Sequence, residues 1–410
     1  MTGASGSSGF ASLRHRDFSL LIIGKSFGWT ALYMIMVAIA YQVYDRTGEV
    51  MNLAYIGLAT FAPLIGFALI TGYVADLFDR RHVLTVCYLI ELVAALLFLA
   101  YTVTDIQAVW PIFVILLLSG TGRAFHQPAI NALVPNLVPR VNFANAVAWH
   151  STVSKITQVA GPALGGVIYL AGPEIVYALA AAGLLVATVM TLFIRTRTER
   201  GQRQPTTLST LFAGLRYVYN KKIIFGAITL DLFVVLLGGV TALFPVFAKD
   251  ILETGAAGAG FLRSAMAGGA LLSGIMLTQM ALERSVGKIL FATVLIFGVT
   301  TIIFGLSNLF WLSLLSMAIL GAADMISVNI RVTLLQIATP DEMRGRVSAV
   351  SSVFTGASNE IGEFRAGIMA AFIGAVPAVL IGGIGSIVVA AICWKAFPQL
   401  AKVERFDQEL

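Results

Sequence analysis

The sequence predicts an all-helical membrane protein with twelve transmembrane helices in two pseudo-symmetric six-helix halves, and three observations carry that prediction. The first is composition. Of 410 residues, 58% are hydrophobic and 12% charged, with a mean hydropathy of +0.88. A soluble domain carries about 25% charged residues, so most of this surface must face lipid. The second is a single long polar interval, in which Arg195, Arg197, Arg200, Arg203, Arg216, Lys221 and Lys222 stand against one acid, Glu199. Apolar segments lie about equally on either side of it. The third is an internal repeat: a shift of 201 positions lays Gly120 on Gly321, Pro139 on Pro340, Gly161 on Gly362 and Gly166 on Gly367. All four matches fall at corresponding points of corresponding apolar segments, as in a duplicated membrane bundle.

A bilayer span needs about 20 apolar residues, more if tilted. That measure places helices at 17–44, 50–77, 82–104, 109–135, 143–171 and 174–194 in the first half. In the second half it places them at 222–249, 256–281, 287–306, 309–337, 346–373 and 376–397. The domains expected are an N-terminal tail (1–16), a first bundle (17–194), a linker (195–221), a second bundle (222–397) and a C-terminal tail (398–410). Lys and Arg set the orientation. The even-numbered connections and both tails hold nineteen of them; the opposite side holds only Arg46 and Lys249. Positive loops stay in the cytoplasm, so both termini and the linker are expected there.

The same pattern explains the net charge of +6, which in a soluble chain would suggest nucleic acid. No nucleic-acid partner is expected. Cys87 and Cys393 lie inside apolar runs and suggest neither a disulfide nor a metal site. Met1 to Gly9 lacks the charged start and apolar core of a cleaved signal and reads as a disordered tail. No Gly-x-x-x-x-Gly-Lys-Ser/Thr loop is present, so nothing indicates direct use of ATP. The glycines at 255–260 lack the preceding strand a phosphate loop requires and read as a helix entry. No His/Cys cluster or nucleophile–base pair suggests an enzyme, a metal or a cofactor. The outer connections are too short for a receptor domain, which weighs against a membrane scaffold or sensor that transports nothing.

Two motifs go further. Between the second and third helices stands Gly72-Tyr73-Val74-Ala75-Asp76-Leu77-Phe78-Asp79-Arg80-Arg81. Read by itself this is an ordinary positive turn, with Gly72 permitting close helix contact and Asp76 capping or pairing. It resembles the signature loop of the major facilitator superfamily, Gly-x-x-x-Asp followed by a basic pair. The resemblance implies that Gly72, Asp76, Arg80 and Arg81 help latch the halves on the cytoplasmic side. Leu77 and Asp79 depart from the common pattern of Arg and Gly there, and the second half keeps only Glu283-Arg284 and Gly287-Lys288. In the fifth helix, Gly161-Pro162-Ala163-Leu164-Gly165-Gly166 combines a helix-bending proline with glycines that admit a close neighbour. The set Gly161, Pro162, Gly165 and Gly166 resembles the antiporter signature of drug/proton exporters in that superfamily, though Thr157 replaces an upstream glycine. A packing kink without directional meaning is the other reading.

Further stretches, among them Leu230-Asp231-Leu232-Phe233, Ala338 to Val347 and Gly356-Ala357-Ser358-Asn359-Glu360, are similar to the branch containing siderophore exporters and related drug exporters. The resemblance implies a monomer in the bacterial inner membrane, with a central cavity lined by helices 1, 4, 7 and 10 and parts of 2, 5, 8 and 11. Arg365 stands where relatives carry an acid, which puts the substrate in doubt. Charges inside a membrane cost about 2.5–3.5 kcal/mol each on insertion scales, so they are presumed functional until paired. The basic set is Lys25, Arg123, Lys155, Arg263, Arg331 and Arg365; the acidic set is Glu91, Asp231, Asp324, Glu360 and Glu363. The candidate substrate site is Lys25, Trp29, Tyr33, Arg123, His126, Lys155, Arg331 and Arg365, with Trp29 and Tyr33 offering rings to a planar ligand. Tyr41 and Tyr44 read as outer-interface anchors. Proton coupling falls to Asp231 first, because its own helix offers no cation within two turns, then to Glu360, Asp324 and Glu363. Arg123 and Asp324 occupy matching places in the two halves and are expected to pair.

The reading is a secondary active exporter of a small siderophore-like or drug-like molecule, working against protons by alternating access. An importer or uniporter of the same fold is the alternative. The latch makes one prediction. Asp76→Asn should leave the protein folded but slow transport several-fold, because the charge serves closure and not packing; transport at the parental rate would remove Asp76 from the mechanism.

Overall fold

The computed structural model describes residues 9–196, 215–279 and 284–406, apart from the side chains at 68, 69, 72, 73, 75, 76, 341 and 342. Gly72, Asp76 and the linker arginines Arg197, Arg200 and Arg203 therefore lie outside the described residues. In the first half the helices are α1 (Arg16–Thr47), α2 (Val50–Leu77), α3 (Arg80–Val103), α4 (Trp110–Leu133), α5 (Phe143–Tyr169) and α6 (Pro173–Leu192). In the second they are α7 (Lys222–Gly238), α8 (Gly255–Gln279), α9 (Val286–Leu306), α10 (Phe310–Ile337), α11 (Asp341–Ile373) and α12 (Ala375–Ala396). No strand occurs among the described residues. Among the described residues, nine helical segments are long and apolar enough to cross a membrane; α4, α5 and α11 do not meet that measure. Those three carry much of the intramembrane polarity, including Arg123 and His126 on α4, His150 and Lys155 on α5, and Glu360, Glu363 and Arg365 on α11. Among the described residues the protein is all-helical, with six long helices in each half, as the sequence predicts.

The chain divides into two compact units, Met1–Ile39 with Ala59–Thr206, and Ala40–Leu58 with Thr207–Leu410. In the first unit, α3 packs against α4 and α6, and α5 packs on α1 through the Gly-Pro motif. A Cβ on Gly161 would stand 2.5 Å from that of Tyr33, and one on Gly165 would stand 2.8 Å from the Met34 Cα. Only glycine allows this approach. Residues 9–15 are not a free tail: the Ser12 amide donates to Asn145 Oδ1 at 3.0 Å, and Asn145 and Trp149 each donate to the Gly9 carbonyl at 2.9 Å. Arg80 donates to the Ala132 carbonyl at 3.1 Å, in the last turn of α4, and Arg81 to the Ile194 carbonyl at 2.7 Å, just past α6. Cations there satisfy open carbonyls and complement the helix dipole. The basic pair is thus engaged by helix ends.

In the second unit, α8 and α10 meet backbone to backbone: a Cβ on Gly269 would lie 1.8 Å from the Ala318 oxygen and one on Gly321 1.9 Å from the Met266 oxygen. The repeat has structural counterparts. Gly120 and Gly321 both press the fourth helix of their half onto the second, and Gly161 and Gly362 both press the fifth onto the first. The expected continuous helix at 222–249 is corrected. α7 stops at Gly238, and the chain resumes through a 3-10 turn (Thr241–Leu243), one turn at Phe244–Val246 and a π-helical segment, Phe247–Ile251. The C-terminal segment is tied down, with the Gly287 and Val286 amides donating to the carbonyls of Val403 at 2.9 Å and Glu404 at 3.3 Å. Tyr41 and Tyr44 are buried, against the expectation of interface anchors. Tyr44 donates its hydroxyl to Asp250, and Lys249 pairs with Asp45 at 2.6 Å.

Gly321→Ala should lower the melting temperature in detergent, since its Cβ meets a backbone carbonyl that cannot step aside; overpacking of this kind costs about 1–3 kcal/mol. Gly120→Ala, where the nearest oxygen would be 2.7 Å away, should cost less. Equal or absent losses at the two positions would contradict the packing described.

Candidate functional site

Three groups of polar side chains sit within the helices. In the second unit, Asp231 on α7 forms an ion pair with Arg331 on α10, both side chains about one-tenth exposed. Thr355 of α11 donates to the free Asp231 oxygen at 3.0 Å, and Arg331 Nε donates to the Ser327 carbonyl at 3.2 Å. Its own helix offers Asp231 no cation within two turns, as expected, but α10 supplies one across the bundle. The pair lies on the wall of a cavity of about 360 Å³, bounded by Ala227, Val328, Leu335, Ser351 and Thr355. Asp324 lies in an adjoining recess with Asp231, Arg331 and Ser327.

The second group closes the break in α7. Arg365 of α11 donates from Nε to the Leu236 carbonyl at 2.9 Å and from its guanidinium to the Leu237 carbonyl, while Nη1 reaches Met369 Sδ at 2.7 Å. Thr241 donates to Glu363. Helix ends leave four carbonyls without partners, and in a membrane each open carbonyl costs several kcal/mol. Arg365 is thus occupied by backbone, which runs against the expectation that it meets substrate. Glu363 holds the turn that follows.

The third group lies in the first unit. The Lys25 ammonium, 2% exposed, has three N–H donors and three acceptors: His150 Nε2 at 2.7 Å, the His150 carbonyl at 2.9 Å and Ser154 Oγ at 2.5 Å. All three are neutral, and no carboxylate lies within ion-pairing distance among the described residues. One layer away, His126 and Glu91 face each other beside Trp29, whose ring centroid is 5.3 Å from that of His126 and 5.8 Å from that of Tyr33. Arg123 and Lys155 are half-buried, and Arg123 forms no ion pair among the described residues. Glu360 is half-buried on α11. Sequence reasoning missed Ser154 and Thr355. Ser154 stands four residues from His150 on one face of α5, a spacing that could have singled it out.

Residues 7–409 match the family model described as "Transmembrane secretion effector". The chain belongs to that family. Its members are membrane transporters of the major facilitator superfamily, not enzymes, and this chain is accordingly a multi-pass membrane transporter. Similar proteins include macrolide efflux protein A of Streptococcus pyogenes, 22% identical over 95% of this chain and 97% of that one. The enterobactin exporter EntS of Citrobacter koseri is 23% identical over 96% of this chain and 94% of its own. Among solved structures, a bacterial homologue of the lysosomal transporter Spinster in an inward-facing conformation superposes with a TM-score of 0.72 at 16% identity. It covers 97% of this chain and 99% of its own length. A bacterial homologue of the iron transporter ferroportin gives 0.68 at 15% identity, covering 94% and 99%.

The Asp231–Arg331 pair predicts a specific pattern of stabilities. Asp231→Asn and Arg331→Gln should each destabilise the folded protein, by about 3–5 kcal/mol where one charge is left buried alone. The double variant should recover much of that loss. Additive losses in a detergent-unfolding cycle would refute a mutual pair.

Proposed function

We propose that this transporter exports a small siderophore-like or drug-like molecule from the cytoplasm in exchange for protons, as a monomer in the bacterial inner membrane with both termini cytoplasmic. The observation that carries the reading is the buried Asp231–Arg331 pair on a cavity wall. A buried pair is stable while both charges are present, and removing either one leaves the other uncompensated. Substrate and proton compete for Asp231. A substrate hydroxyl that donates to the ionised Asp231 carboxylate is held beside the Arg331 guanidinium, and protonation of Asp231 removes that acceptor and releases the substrate. When the proton leaves, Asp231 returns to its pair with Arg331 and can take substrate again. Proton and substrate thus exclude each other at a single site, and each favours a different state of the alternating-access cycle. Lys25, with neutral partners only, adds positive potential that suits the same class of substrate. Two relatives named for exporting enterobactin and for macrolide efflux support the direction and the substrate range. The concentration of Lys and Arg in the tails and linker supports the orientation.

The test uses purified protein in vesicles of known sidedness, with a panel of catecholates, macrolides and sugars. Addition of a transported compound should dissipate an imposed pH gradient. Asp231→Asn should lose proton-driven accumulation, by tenfold or more, while still exchanging substrate down its own gradient. Normal proton-driven accumulation in Asp231→Asn would end the assignment, and accumulation in the opposite sense would make the protein an importer.

A further inference from the structure

Six buried polar atoms gather between α1, α3 and α4 without a hydrogen bond: Trp29 Nε1, Tyr88 Oη, both Glu91 carboxylate oxygens and both His126 ring nitrogens. Glu91 and His126 are each about 1% exposed. Buried polar groups are nearly always hydrogen-bonded, so a cluster of this size requires an explanation. The backbone around it is closely packed. A Cβ on Gly122 would lie 3.1 Å from Glu91 Cγ, and one on Gly28 would lie 2.4 Å from the Tyr88 ring. Helices are thus drawn together at the point where the carboxylate and the imidazole meet, Nδ1 to Oε1 at 3.6 Å.

We propose that Glu91 and His126 together form a proton-binding site in the first unit, separate from Asp231. A lone carboxylate in this position is a buried uncompensated charge, and so is a lone imidazolium. The pair is neutral when it holds one proton, on either the carboxyl or the ring. The proton moves between Oε1 and Nδ1 with a small rotation of either side chain, and no other reactant is needed. Loss of that proton leaves the carboxylate alone; gain of a second leaves the imidazolium alone. Either change needs solvent access, which ties the site's occupancy to whether its surroundings are open or sealed.

The titratable and charged groups nearby are few. From α3 itself come Tyr88, whose ring meets His126 edge-on at 4.5 Å, and the Cys87 thiol. From α5 comes His150, close enough to His126 for the two to interact electrostatically, and behind it Lys25 of α1. Trp29 of α1 contributes its indole. His126, expected to contact substrate, is instead placed to exchange a proton with Glu91 and to sense the charge on the Lys25–His150 pair.

Trp29 supplies the readout, since an imidazolium at ring-contact distance quenches indole emission. In a variant keeping Trp29 as the only tryptophan, emission should change on the order of twofold in one pH-dependent transition. In that background Glu91→Gln and His126→Gln should each abolish the transition. The measurement needs neither substrate nor transport, so it succeeds or fails independently of the exporter reading. Flat emission in the Trp29-only protein overturns the site, as does a transition that survives in either folded variant. If both variants fail to fold, the Trp29-only titration decides alone, because His126 is the only titratable imidazole in ring contact with Trp29.

Discussion

Lipid offers a buried backbone or charge nothing to bond to, and the structure is arranged around that constraint. Each helix end, helix break and intramembrane charge must find its partner inside the protein. Arg80 and Arg81 serve the ends of α4 and α6, Arg365 serves the broken end of α7, and Asp231 and Arg331 serve each other. Arg365, Asp231 and Arg331, which look anomalous in the sequence, are such partners. What separates a structural charge from a functional one is whether its partner can be exchanged. A backbone carbonyl cannot leave Arg365, whereas in the proposed exchange a proton takes Asp231 from Arg331.

The two units solve the problem of buried charge differently. The second pairs opposite charges and adds a threonine donor, leaving Asp231 and Arg331 mutually committed. The first leaves Lys25 on neutral acceptors and leaves Glu91 and His126 near one another but not bonded. A duplicated scaffold has therefore kept its packing contacts, as Gly120/Gly321 and Gly161/Gly362 show, while its polar chemistry has diverged. Packing glycines are fixed by backbone clash, a demand common to both halves. Charge placement answers to ligand and proton and has no reason to be symmetric.

The helices were legible in the sequence because burial in lipid demands long apolar runs. The break after Gly238 was not. The residues around it are as apolar as a continuous span, and the donor that makes the break tolerable lies on another helix. The same applies to Asp231: its own helix offers no cation within two turns, and the one it uses comes from α10. Tyr44 reads as an anchor because it sits at a helix end, but Asp250 buries it. His126 was noticed for its closeness to Arg123 along α4, while its actual neighbour, Glu91, is on α3. Individual site residues were thus recognisable by type and depth. Their pairings were not, because pairing across a bundle depends on helix rotation, which hydropathy does not encode.

The span between Leu236 and Arg365 has a consequence for how the chain is made. Their hydrogen bond joins positions 129 residues apart. At the usual 5–20 residues per second, α7 leaves the ribosome roughly 6 to 25 seconds before the guanidinium that closes its end. Until then the carbonyls of Leu236 and Leu237 lack this donor, and the half-made second bundle must hold them near water, translocon or the first bundle. The last step in assembling α7 is therefore the arrival of α11, so the two helices mature as one unit despite the three, α8 to α10, that separate them in the sequence.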